Sequence, residues 1–217
     1  MNKKELCKRY ILFIISLFVA ALGVAVTKKG ELGVSPISSV ANVLSIKFTI
    51  LSLGNWLIVW NCLMILGQIV LLRGKFQWIQ LLQIPLSFLF GYFTDFGMWM
   101  LSGIQPQAYW FRAILVIAGT VILGFGVSLS VMANVIMNSG EAFVKAVADT
   151  IHKEFGNVKI GFDIFCVLFS LILSVLFFNG MIQGCREGTI FAAVCTGLVV
   201  KYSCRLIGRK VETILKK

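Results

Sequence analysis

Carboxylates are scarce in this chain. Nine Asp and Glu stand against twenty Lys and Arg among 217 residues, and charged residues make up 13% of the sequence where a soluble domain carries about 25%. Histidine occurs once, at His152, with no clustered Cys or Glu beside it, so no metal site is expected. There is no CxxC pair. The six cysteines are scattered, mostly inside apolar runs where a thiol acts as a small hydrophobe, so no disulfide framework is expected. A Ser-His-Asp set, a phosphate-binding glycine loop and a paired-carboxylate arrangement are also missing. The expectation is a protein that is not an enzyme and carries no cofactor.

What the sequence does have is apolar length. Hydrophobic residues make up 59% of it, and the mean hydropathy is +0.93. The uncharged runs 48–72, 113–140 and 164–185 each exceed the roughly 20 residues that cross a hydrocarbon core as a helix. None alternates apolar with polar, which excludes the ~10-residue strands of an outer-membrane barrel. The start "MNKKELCKRYILFIISLFVAALGVAV" reads as a retained first span with a basic flank. A cleaved signal is the alternative, given the small residues from Ala20 to Ala25.

Breakers and uncharged runs predict an all-α integral membrane protein with six spans near 10–26, 51–72, 76–101, 111–133, 160–178 and 188–207. The net charge of +11 would suggest nucleic acid in a soluble protein; here it encodes orientation. With the N-terminus inside, fifteen basic residues fall in cytoplasmic segments. Only Lys28, Lys29, Lys47, Arg112 and Arg186 fall outside, so both termini are expected in the cytoplasm.

The segment "LGVSPISSVANVLS" fits none of these spans. From Val34 to Lys47 it covers only ~21 Å at 1.5 Å per residue, against a core of ~30 Å. If it crossed, every later loop would change sides and the charge bias would nearly reverse. It is therefore expected to lie on the outer interface or to re-enter. Ser35, Ser38, Ser39, Asn42 and Ser45 form a polar stripe along it, opposite Ile37, Val40, Val43 and Leu44.

The order of long span, short helix, span, span recurs after residue 111. "LGV" at 22 pairs with "FGV" at 125, "VSPISS" at 34 with "NSGEAF" at 138, and "LGNWL" at 53 with "IGFDI" at 160, at offsets drifting from 103 to 107. Each half holds three spans, so the second is inserted upside down. The expectation is one membrane domain over 1–217 built of two inverted repeats, about 10–101 and 111–207. A short non-spanning helix follows the first span of each. In the second short helix Glu141, Lys145, Asp149 and His152 or Lys153 fall at helical spacing and read as an ion-pair ladder on a solvated face. That helix is expected at the cytoplasmic surface, and the first is the better candidate for re-entry.

Asp95 is the only acidic residue between Lys75 and Arg112, and a carboxylate at membrane depth costs about 2.5–3.5 kcal/mol unless paired or hydrated. It is the strongest single functional candidate; the alternative is that it reaches the outer interface beside Tyr92 and Trp99. The repeat offset sets Asp95 opposite Lys201, which suggests a coupling pair. Asn61, Gln68, Gln80, Gln83, Ser128, Ser130 and Asn134 read mainly as interhelical glue. Pro85 is expected to free the Leu81 carbonyl and to kink or locally open the third span. Asp163 has Lys159 as its i,i+4 partner, and Ala21-x-x-x-Ala25 suits close helix packing.

The stretches "LGVSPISSVANVLS", "LSLGNWLIVWN" and "LLQIPLSFLFGYFTDF", together with the six-span size, resemble the bacterial YczE/YyaS/YitT-type inner-membrane proteins, the YczE branch in particular. The resemblance runs over most of the chain. It implies an integral protein of the bacterial cytoplasmic membrane and supplies no catalytic residues.

The leading expectation for function is a small secondary transporter or permease for a small organic solute, anionic or zwitterionic. Its site would lie near the midplane and be formed by Ser35, Ser38, Ser39, Asn42, Asn61 and Asp95, with Asp95 and Lys201 as coupling residues. One alternative is a substrate-capture subunit of an ATPase-driven vitamin-type importer, with Ala21 and Ala25 facing the ATPase module. Another is a scaffold with no solute. The expected partners are the lipid bilayer, a solute, and a homo-oligomer or ATPase module, with no nucleic acid.

Overall fold

The computed structural model describes residues 3–216; Lys217, counted above among the cytoplasmic basic residues, lies outside the described residues. Among the described residues there are eight α-helices: α1 (Lys3–Lys29), α2 (Pro36–Lys47), α3 (Leu53–Leu72), α4 (Gln83–Met100), α5 (Tyr109–Ala133), α6 (Ser139–Ile151), α7 (Phe155–Phe177) and α8 (Glu187–Lys216). Two short 3₁₀ turns, Arg73–Lys75 and Trp78–Leu82, precede α4, and no strand occurs among the described residues.

Five helices, α1, α3, α5, α7 and α8, are long and apolar enough to cross a membrane. The third predicted span differs. Its first turns are 3₁₀, leaving an α4 of 18 residues that falls outside this group. Gln77, Gln80 and Gln83 crowd the start, and Pro85 stands in the first turn of α4, where a missing N–H breaks no helical bond. The helical geometry changes just before Pro85, where the Gln83 N–H ends the 3₁₀ turn by donating to Gln80 O and Leu81 O.

Small residues set the packing. α1 and α5 cross at the centre, where a Cβ on Gly23 would lie 2.7 Å from Leu123 Cβ and one on Gly126 would lie 2.9 Å from Ala20 Cβ. α4 packs on α1 through Gly97, whose Cβ would lie 2.9 Å from Ala25 Cβ. It packs on α3 through Gly91, whose Cβ would lie 2.5 Å from Ile58 Cγ1. Ala21 and Ala25 are fully buried, which removes them from any partner-facing surface. α8 packs along α5, whereas α7 and α8 form no seam comparable to that of α3 and α4.

The two short helices occupy equivalent places: α2 packs on α3 and α7, and α6 packs on α3 and α7. Val40, Ala41 and Val43 of α2 and Val144 of α6 are among the most buried side chains. α6 thus has one buried face, with Val144, Ala146 and Ala148, and one exposed face. Its expected ladder does not form: Lys145 and Asp149 are exposed, and neither makes an ion pair with Glu141.

Candidate functional site

The site lies where α2 and α6 meet. After α1 the chain reverses through Gly33 at φ +118, where a side chain would run into Thr189, and the Gly188 N–H donates to Leu32 O at 2.9 Å. α2 then begins with Pro36, which lacks an N–H that the first turn leaves unpaired anyway. Neither Ser35 nor Asn138 caps its helix with its side chain; the Ser35 hydroxyl instead donates to Ser38 Oγ at 2.9 Å. The two N-termini are close, since a Cβ on Gly140 would lie 3.1 Å from Ile37 Cδ1.

From this point the helices run apart. α2 ends beside the end of α7, where Lys47 Nζ donates to Phe177 O at 3.0 Å. α6 ends with His152 in the left-handed region, just before α7 begins. Between α3 and α7 the two helices thus present their N-termini to each other across an interruption, where first-turn N–H groups lack helical partners and two positive dipole ends meet.

A cavity of about 600 Å³ opens at this interruption. Small-molecule sites typically measure about 300–1,000 Å³, so it has room for a small organic solute. One wall is apolar, with Phe13 and Leu17 of α1, Phe90 of α4 and Val127 of α5. The other is polar, with Ser35, Ser38, Asn61, Ser139, Glu141 and Asp163.

Charge enters from α6 and α7. Lys159 and Asp163 form the predicted i,i+4 ion pair on α7, and both line the cavity with Glu141. Burial pushes the Glu141 carboxyl above the ordinary carboxylate range; Lys159 opposes the shift and Asp163 adds to it. The cluster holds one cation and two carboxylates, beside the two helix N-termini.

The predicted site residues separate. Ser35, Ser38 and Asn61 line the cavity. Ser39 does not: it is fully buried and donates to Pro36 O at 2.6 Å and Cys166 O at 3.5 Å, tying α2 to α7. Asn42 is also a strut. It accepts from Lys28 Nζ at 2.5 Å and donates to Gly184 O at 2.6 Å.

Asp95 is placed outside the cavity lining, at the start of α3. Its carboxylate accepts from Ser52 Oγ at 2.5 Å and from the Gly54 N–H at 2.8 Å. This satisfies orphan donors at a helix N-terminus, and it is why a carboxylate is tolerated there. Lys201 is exposed on α8 and makes no ion pair with Asp95. The glue reading holds for Gln68 and Gln83, whose amides pair at 3.1 and 3.2 Å, with Gln68 also donating to Ser139 O at 3.1 Å. That last bond fixes the first turn of α6 at the cavity.

Sequence reasoning missed Glu141 and Lys159 as cavity residues. The spacing to Lys145 and Asp149 assigned Glu141 to a solvated face. The signal that locates it is its place in "NSGEAF" at the start of the second short helix, the stretch that the expected repeat pairs with "VSPISS".

A family model, DUF6198, described as a family of unknown function, matches residues 7–205. No curated protein and no solved structure matches the chain.

Proposed function

The chain belongs to the DUF6198 family, a family of unknown function, and we propose that it is a small secondary transporter, or permease, for a small zwitterionic or anionic organic solute. The observation that carries this reading is the cavity at the interruption between α2 and α6. Transporters commonly bind solute where half-helix N-termini point at an anionic group near the midplane. The N-terminal amides of α2 and α6 suit a carboxylate, and Glu141 suits an ammonium group, so a zwitterion fits both.

The inverted repeat belongs to the same reading, and the packing supports it. Gly23 packs on Leu123 and Gly126 on Ala20, and both Gly23/Gly126 and Ala20/Leu123 stand 103 positions apart, so the contact is reciprocal. α2 and α6 likewise exchange roles on α3 and α7. We count α4 as the sixth span. Its polar and small residues, Gln83, Ser87, Gly91 and Thr94, are the buried ones, while Ile84, Phe88, Tyr92, Phe96 and Trp99 are exposed. Its low apolarity thus comes from the inward face, as a bundle-facing stripe allows.

With the charge bias of the loops, this reading puts both termini in the cytoplasm of a bacterial cell, as the resemblance to the YczE/YyaS/YitT-type proteins implies. The test is a thermal-shift screen of small zwitterions and carboxylates on the detergent-purified protein, followed by flux in proteoliposomes. A true ligand stabilises by RT ln(1 + [L]/Kd), about 2.7 kcal/mol at a hundredfold excess over Kd. Glu141→Gln is expected to weaken zwitterions and spare simple carboxylates. A screen and flux assay with no hits would leave a scaffold role.

A further inference from the structure

The charged groups of the cavity do not cancel. Its only charged lining residues are Glu141 of α6 and Lys159 and Asp163 of α7. Lys159 and Asp163 are committed to each other as an ion pair, and the Glu141 side chain makes neither an ion pair nor a hydrogen bond among the described residues. The neighbouring helices bring nothing that would neutralise it. The one titratable group on α3 is the Cys62 thiol and the third on α7 is the Cys166 thiol, and neither lines the cavity. Lys47, the one on α2, lies at its far end beside Phe177. On α6 itself Lys145 and Asp149 are exposed. With all three lining groups ionised, one negative charge is left over against the apolar wall of Phe13, Leu17, Phe90 and Val127, where a lone carboxylate is poorly solvated. Burial raises the Glu141 carboxyl; Lys159 opposes that shift and Asp163 adds to it. The first-turn amides of α6 favour the ionised form as well. These opposed pulls suit a proton that is held and can still leave.

We propose that the empty cavity holds a proton on Glu141 and gives it up in exchange for the ammonium group of the solute. On binding, the O–H bond of the carboxyl breaks and the proton passes to solvent. The carboxylate left behind pairs with the ammonium group, while the solute's own carboxylate takes the N-terminal amides of α2 and α6. Two states of the cavity are then compensated, the protonated and the loaded. The third, empty and deprotonated, leaves a carboxylate without a partner, which is penalised once water is excluded. Proton and solute thus occupy the site in turn, which couples their movements in opposite directions. The ion pair on α7 has a part in this: by holding Lys159, Asp163 keeps it from neutralising Glu141 permanently. The inference rests on the transport reading.

The test uses the full-length protein in detergent with methylammonium chloride as the probe, which presents an ammonium group alone and, like a lysine side chain, stays charged near neutral pH. A pH dye in weakly buffered solution follows proton release, and infrared difference spectra follow the protonated carboxyl. The expected result is about one proton released per chain at saturation, with the carboxyl band lost in step. Apparent affinity for methylammonium should weaken about tenfold for each pH unit below the folded value of Glu141. Glu141→Gln keeps the side-chain shape and should abolish the band, the release and the pH dependence. Asp163→Asn frees Lys159 to pair with Glu141, so the band should vanish at neutral pH before any methylammonium is added. No release from the wild type, equal release from Glu141→Gln, or a band that persists in Asp163→Asn would each overturn the exchange. Any of these in a protein that zwitterions stabilise equally at pH 5 and pH 8 would leave solute binding standing. Release by methylammonium in a protein that no zwitterion stabilises would keep the proton site and remove the transport reading.

Discussion

Two carboxylates show how environment divides roles. Asp95 is held by two donors at the start of α3, so it acts as a cap. Asp95→Ala is expected to cost about 1–3 kcal/mol, the range for orphaning a buried donor, and to leave any ligand-induced thermal shift unchanged. A lost ligand shift with unaltered stability would return Asp95 to the site. Glu141 is the opposite case, a carboxyl raised by burial at the cavity wall. The folded state then keeps a proton that the unfolded chain releases near pH 4.3. Its stabilising effect is complete below that pH and is lost as pH rises through the higher folded value. Melting temperature should therefore fall over this window in the wild type and stay flatter in Glu141→Gln, with the variant more stable at pH 8. Parallel curves from pH 4 to 8 would show that Glu141 is not the group responsible.

At the scale of the helix, the same residue type has opposite effects at a packed crossing and at an open position. A Cβ on Gly91 would lie 2.5 Å from Ile58 Cγ1 and 2.7 Å from Gly54 O, so Gly91→Ala should overpack the α3–α4 crossing and cost about 1–3 kcal/mol. Gly197→Ala meets open space and should gain up to about 1 kcal/mol from helix propensity. Thermal unfolding of both variants in one detergent checks the contrast; equal losses would mean that α8 is already packed. Helix existence was legible in the sequence because uncharged runs and breakers are strong signals. The start of α4 was not, since three glutamines interleaved with apolar residues fit a span and a 3₁₀ turn alike. Glu141 was misread for a related reason. Spacing fixes which residues share a helical face, but what that face meets depends on where α6 docks, and α3 and α7 decide that.

For the whole molecule, the number and direction of crossings can be read at glycines that stand in open space. Gly74 between α3 and α4, Gly103 between α4 and α5, and Gly156 at the start of α7 each have nothing within 4 Å of an added Cβ, so a cysteine at any of them leaves the packing intact. If α4 crosses, Gly74 and Gly103 are on opposite sides. If α6 re-enters without crossing, only α5 separates Gly103 from Gly156. The basic residues follow the same division, with Arg9 as an anchor. It is buried, bonds Ala133 O at 3.2 Å and pairs with Glu5 at 2.9 Å and Glu212 at 3.0 Å, drawing the ends of α1, α5 and α8 together on one face. Moving that face across a bilayer would drag this charged network with it. In intact cells an impermeant maleimide should therefore label Gly103→Cys, and should reach Gly74→Cys and Gly156→Cys only after the membrane is opened. Like behaviour of Gly74→Cys and Gly103→Cys would show that α4 does not cross, and the inverse pattern would place both termini outside.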